Sequence, residues 1–105
     1  MNLNEIQDIV KDFVNRNNME ASLEIRALDL VSEVGELSKE ILKGTKYGKQ
    51  EFSVTQGWTN EFGDVLYSLI CLANIGGVDL ENAINTAVDK YKKRFVEKGD
   101  MGSGN

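Results

Sequence analysis

Between Ser22 and Lys43 the apolar residues Leu23, Ala27, Leu30, Val34, Leu37 and Ile41 recur in alternating steps of four and three. That spacing is the packing seam of a helix bundle or coiled coil. It constrains the chain more than any other feature, because a helix with such a seam needs partner helices. A second row with the same steps, Asp29, Glu33, Glu36 and Glu40, runs beside it. An acidic row next to an apolar seam is ordinarily a solvated face. Here Leu28, Val31 and Leu42 supply apolar residues on its other side, which predicts that part of the acidic row turns toward the interior. The chain contains no proline, so no residue forces a break inside a long helix.

Three more segments carry a helical period. From about Asn4 to Asn17, Ile6, Ile9, Val10, Phe13 and Val14 form an apolar face, with Asn4 as the expected N-cap. From about Trp58 to Ile75, the core face is Phe62, Val65, Leu66, Leu69, Leu72 and Ala73. This segment is mostly apolar beyond Asp64 and is expected to be the most buried helix, ended by Gly76-Gly77. The fourth segment starts at Asp79 as N-cap, with Val78 placed to staple onto Ala83. Its apolar face is Leu80, Ile84, Ala87, Val88, Tyr91 and Phe95; Gly99 is the expected stop, and residues 100–105 read as a frayed tail. Residues 44–57 hold three glycines and no helical period. They read as a loop that opens with Gly44 as the C-cap of the second helix and has room for a short helix around Gln50 to Thr55. The expectation is a single all-α domain over residues 1–105, with four helices and the second and third antiparallel at its centre.

Totals exclude several classes. A net charge of −5 argues against gripping a nucleic-acid polymer, which needs a basic face. No apolar run approaches the ~18 residues of a membrane span, and the polar, amphipathic N-terminus shows no signal peptide. Cys71 is the only cysteine; it reads as an inert core thiol and suits a reducing cytoplasm. Histidine is absent, so a Ser-His-Asp set cannot form, and a metal would be held by oxygens or one thiol. At 105 residues the chain builds only a modest core, which oligomerisation would supplement.

Two segments repeat one pattern, acid-x-Gly-acid: Glu33-Val34-Gly35-Glu36 and Glu61-Phe62-Gly63-Asp64. On a helix, residues three apart are neighbours on one face. An antiparallel pair of helices can therefore gather four carboxylates at one place, where they repel unless a cation joins them. Oxygen ligands suit Mg²⁺, Mn²⁺ or Ca²⁺. Chance spacing on a solvated face produces Glu-x-x-Glu too, but here it recurs on the two most apolar helices. Gly35 and Gly63 each cost about 0.5–1 kcal/mol in a helix interior, which close approach of a helix or ligand would explain. Lys90 and Arg94, four apart on one face, are candidates for binding phosphates; cations in a last helical turn also arise simply to offset the helix dipole. Lys43, Lys46 and Lys49 flank the loop and are placed to reach phosphates if it closes, or merely to solvate it. Trp58 is a candidate for stacking on a base, or a core aromatic.

The run Leu-Val-Ser-Glu33-Val-Gly-Glu36-Leu, followed by Asn-Glu61-Phe-Gly-Asp64-Val-Leu-Tyr, resembles the Glu-x-x-Glu … Glu-x-x-Asp signature of the MazG-type nucleotide pyrophosphohydrolases, in the all-α nucleoside triphosphate pyrophosphatase superfamily. The 24 residues between Glu36 and Glu61 fit that family's spacing, and the resemblance covers roughly residues 22–95. It implies a four-helix core around Mg²⁺, with Mn²⁺ as a possible substitute, in a homodimer or a dimer of dimers. It further implies cleavage of a nucleoside triphosphate between the α and β phosphates, often in nucleotide-pool house-cleaning. Glu33, Glu36, Glu61 and Asp64 would act as catalytic metal ligands. Lys90 and Arg94 would contact the phosphates, with Trp58 and Lys43 as further substrate-binding candidates. Ser32 and Asn60 stand where the family often has additional acids. That departure leaves room for two alternatives: a non-catalytic metal-binding oligomerisation or regulatory module, and hydrolysis of a related pyrophosphate-linked substrate.

Overall fold

The computed structural model describes residues 1–98 as four helices: α1 (Leu3–Arg16), α2 (Leu23–Gly44), α3 (Trp58–Gly76) and α4 (Leu80–Lys98). No strand occurs among the described residues. The expected stop at Gly99 and the tail at 100–105 lie outside them. No single helix among them is long and apolar enough to cross a membrane.

Local chemistry sets the starts. α1 begins before the expected cap: Asn2, not Asn4, accepts from the Glu5 amide at 2.9 Å while Glu5 Oε1 accepts from the Asn2 amide at 2.8 Å. Each side chain satisfies a donor that the helix leaves orphaned. Ser22 caps α2 by accepting from the Ile25 amide, and Asp79 accepts from the Asn82 amide ahead of α4. α3 ends at Gly77, whose φ of 71° suits glycine, with its amide donated to Ala73.

The end of α2 differs from expectation. Gly44 is its last helical residue and Thr45 the C-cap. Gly44 is glycine for another reason: a Cβ there would lie 2.5 Å from the Phe52 ring and 2.7 Å from the Ser53 carbonyl oxygen. The loop folds back over this point, and the Ser53 amide donates to the Gly44 carbonyl at 2.9 Å. Lys46, Tyr47 and Gly48, all with positive φ, make the reversal. The short helix around Gln50 to Thr55 is absent; this stretch instead folds back on the end of α2, with Phe52 and Ser53 against Gly44.

α2 and α3 form the main antiparallel pair, α1 packs on α3, and α4 packs on α1. α3 and α4 meet at 105°. Val10, Ile70 and Cys71 form the buried core, flanked by Ile6, Val14, Tyr67 and Leu80. α3 holds more of the buried residues than any other helix, as its sequence predicts. Gln7 locks the far end. Its amide nitrogen donates to Asn74 Oδ1 at 3.1 Å and to the Val78 carbonyl at 2.9 Å, and its oxygen accepts from the Leu80 amide at 2.8 Å. Gln7→Leu is expected to cost about 1–3 kcal/mol, the penalty for leaving buried partners unpaired; urea unfolding monitored by circular dichroism measures it.

The apolar seams are only partly used. On α2, Ala27, Leu30 and Leu37 are half-buried, but Leu23, Val34 and Ile41 are exposed. On α3 the expected core residues Phe62, Leu66 and Leu69 are exposed, as are Ile84, Val88 and Phe95 on α4 and Ile9 and Phe13 on α1. The cause on α2 is the acidic row. Glu33 is half-buried and Glu40 is buried, so the helix has rotated to aim these two at α3. Asp29 and Glu36, from the same row, remain exposed.

Candidate metal centre

The antiparallel pairing keeps a fixed register. Glu40 meets Gly57, and Glu33 meets Asp64. Both steps are seven residues, about two helical turns or 10.5 Å. In the second of these layers one carboxylate oxygen each from Glu33, Glu61 and Asp64 lies within 4.8 Å of the others. Glu33 and Glu61 are half-buried and Asp64 is exposed. Glu61 Oε2 is buried with no hydrogen-bond partner. A carboxylate oxygen in that state carries a cost that a cation would remove. Three clustered carboxylates without nitrogen or sulfur donors form a hard-cation site, so these residues fit a divalent metal.

Burial first, and then the charges of Asp64, Glu33, Glu36 and Glu40, push the Glu61 carboxyl above its ordinary 4.5. In the metal-free protein, stability from this group is present at low pH and is lost as pH rises through the raised value. A bound cation competes with that proton, so metal affinity rises with pH over the same window. Nuclear magnetic resonance titration of the Glu61 side-chain carbon is expected to give a midpoint above 4.5 without metal, moving downward when Mg²⁺ is added. A midpoint unmoved by Mg²⁺ would place the ion elsewhere.

The other sequence candidates fall in different places. Glu36 is outside the tight group and exposed, with Lys39 at 3.9 Å; its charge still reaches Glu61. Lys43 is held by Glu40 at 3.2 Å on its own helix. Trp58 is half-buried between Phe52 and Phe62, each ring centre 4.9 Å away, one helical turn from Glu61. Lys90 Nζ and the Arg94 guanidinium lie 4.9 Å and 5.5 Å from the centre of the Tyr91 ring. They sit on α4, which packs on α1 rather than on the acid-bearing pair. Gly35 and Gly63 depart from expectation: a Cβ at either would meet nothing within 4 Å. No helix of this chain approaches them closely enough to require glycine.

A family profile, the MazG nucleotide pyrophosphohydrolase domain, matches residues 21–96, a span that includes α2, α3 and all three clustered acids. The chain belongs to the MazG family. The crystal structure of a Bacillus-conserved MazG protein, described as a nucleotide pyrophosphohydrolase, superposes with a TM-score of 0.72 at 28% identity, covering 87% of this chain and 89% of that one. The crystal structure of YpjD from Bacillus subtilis superposes with a TM-score of 0.74 at 28% identity, covering 90% and 96%. In sequence, the uncharacterized protein YpjD of Bacillus subtilis (strain 168) is 35% identical over 72 residues, which span 66% of this chain and 63% of YpjD. The chain thus matches less than two thirds of that relative's length. MazG membership makes this a member of a family of hydrolases acting on nucleotides, and the acid cluster is the part of its fold suited to such chemistry.

The two motifs of this MazG chain leave out Glu40 and Thr55, although Glu40 belongs to the acidic row expected to turn partly inward. Glu40 is 6% exposed and accepts from Thr55 Oγ1 at 2.5 Å and from Lys43 Nζ at 3.2 Å. These bonds, the one from Thr55 foremost, hold its carboxyl below the usual glutamate value. The sequence holds one clue, since Glu40 follows Glu33 by seven residues and so shares its face.

Proposed function

We propose that this chain is a Mg²⁺-dependent nucleoside triphosphate pyrophosphohydrolase, cleaving between the α and β phosphates to release a nucleoside monophosphate and pyrophosphate. The observation that carries this reading is the convergence of Glu33, Glu61 and Asp64 within 4.8 Å, in a MazG chain. These three residues would hold Mg²⁺, or Mn²⁺ as a substitute. The ion, when bound, polarises a phosphoryl oxygen and lowers the pKa of a coordinated water. Glu36, one turn from Glu33 and outside the tight group, is free to accept the proton of a water attacking phosphorus in line. Lys90 and Arg94 bind the outer phosphates; neither makes an ion pair among the described residues, which supports that role. Lys43 adds positive charge at the loop, and Trp58 with Phe52 and Phe62 offers aromatic faces to the base. The active form is a homodimer or homotetramer, a reading supported by the apolar faces that one chain leaves exposed. The setting is the cytoplasm and the role is house-cleaning of the nucleotide pool.

A panel of common and modified nucleoside triphosphates, assayed for pyrophosphate with Mg²⁺, Mn²⁺ and chelator, tests this. Release with either metal and none with chelator is expected, and the best substrate names the base. If no member of the panel is cleaved while Mg²⁺ still raises the melting temperature, the metal-binding module replaces the enzyme.

A further inference from the structure

α3 begins without the usual aid. Its N-cap is Gly57, and no side chain of the cap accepts from the first-turn amides. The negative group comes from α2 instead. A Cβ at Gly57 would stand 2.9 Å from Glu40 Oε1, so only glycine lets the two approach. The same Glu40 oxygen accepts from Thr55 Oγ1. Thr55 in turn offers its carbonyl to the Trp58 amide at 3.3 Å, and Gly57 offers its own to the Glu61 amide at 3.1 Å. One buried carboxylate therefore accepts from Thr55 and packs against Gly57, the two residues whose carbonyls seat the first turn of α3. It also lies where the helix dipole favours negative charge. Glu61, with its buried and unpartnered Oε2, is carried by that turn.

We propose that Glu40 is a positioning residue of the metal centre: bonded to Thr55 and packed against Gly57, it fixes the start of α3 from α2 and thereby holds Glu61 in place opposite Glu33. Glu40 lies in neither acid-x-Gly-acid motif and acts through Glu61 rather than by touching substrate. Groups that orient metal ligands in this way typically change metal affinity about 10–100-fold when removed. The inference rests on the acid cluster being a metal centre and does not require that nucleotides be hydrolysed.

The test is Mn²⁺ titration by calorimetry together with hydrogen exchange of the amides from Trp58 to Glu61, in the full chain. The variants are Glu40→Ala, Glu40→Gln and Thr55→Val. Glu40→Ala is expected to weaken Mn²⁺ binding about 10–100-fold and to speed exchange at Trp58 to Glu61, with exchange in α1 unchanged. Glu40→Gln keeps the shape and the bond from Thr55, so it should fall between Glu40→Ala and wild type. Thr55→Val removes the bond and leaves the carboxylate; it carries the test if Glu40→Ala does not fold, and weakened binding with faster local exchange is again expected. Unchanged Mn²⁺ affinity in the folded variants would overturn the proposal and leave Glu40 as an anchor for the loop alone. Wild-type protein that binds Mn²⁺ but releases no pyrophosphate overturns the hydrolase reading only. Wild-type protein that binds no Mn²⁺ overturns both.

Discussion

Glu61→Gln is expected to remove nucleotide turnover and, at the same time, to stabilise the metal-free protein. Glu61 is half-buried, one of its oxygens has no partner, and Asp64, Glu33, Glu36 and Glu40 all raise its proton affinity. Such a carboxylate is poorly placed for folding and well placed for a cation. An amide of the same shape relieves the repulsion but is a weak ligand for a hard ion. The kcat should fall roughly 10²–10⁴-fold, the range seen when a group acting in the transition state is lost. The metal-free melting temperature should rise by a few degrees, roughly 2–5 °C, as strained functional sites commonly show. Mg²⁺ should raise the melting temperature of the wild type and leave that of the variant unchanged. Steady-state kinetics and thermal unfolding with and without Mg²⁺ read both effects. A variant with normal kcat would remove Glu61 from the mechanism.

The second large effect concerns assembly. Among the described residues Ile70 is the only large side chain that is almost wholly enclosed, at 2% exposure, while Leu28 and Val31 on α2 are 65% and 69% exposed. The radius of gyration is 16.9 Å, where a compact chain of this length has about 13 Å. In the proposed homo-oligomer, a second copy covers the apolar faces that this open fold leaves on every helix. Leu28→Lys combined with Val31→Lys should then dissociate the proposed homo-oligomer and lower the melting temperature by roughly 10 °C or more. On a genuinely solvated face the same changes would cost no more than about 0.5 kcal/mol each. Light scattering at micromolar concentration, paired with thermal unfolding, separates the two. A wild type that is monomeric, with a variant that melts at the same temperature, would show that these faces stay in water.

Element type was legible because helices are written locally. The four periods, the cap at Asp79 and the stop at Gly76-Gly77 depend on residues a few positions apart, and all appear where expected. The meeting of Glu33, Glu61 and Asp64 was legible for the same reason, since i and i+3 share a face and the antiparallel register brings Glu33 to Asp64; Glu36 stays outside that group. Facing direction was less legible. The seam through Leu23, Val34 and Ile41 is apolar, yet α2 turns Glu33 and Glu40 toward α3. Periodicity records which residues share a stripe but not what covers each stripe, and a second copy leaves the same pattern as an intramolecular partner. Gly44 and Gly57 illustrate the other limit. Each admits a contact with the returning loop or across helices, Phe52 on one and Glu40 on the other, and nothing adjacent in the chain announces it. Gly35 and Gly63 looked more informative and are open to space. Gln7 carries no local signal, because its three partners at Asn74, Val78 and Leu80 are some seventy residues away.

The measurement to make first is phosphorus nuclear magnetic resonance of a nucleoside triphosphate incubated with the protein and Mg²⁺, followed by the same sample with excess chelator. Resonances of pyrophosphate and nucleoside monophosphate should appear together in the first and be absent from the second. Orthophosphate with nucleoside diphosphate would mean that the wrong bond is cut. An unchanged triphosphate spectrum, across substrates and with metal bound, would mean that Glu33, Glu61 and Asp64 hold a cation without hydrolysing a nucleotide.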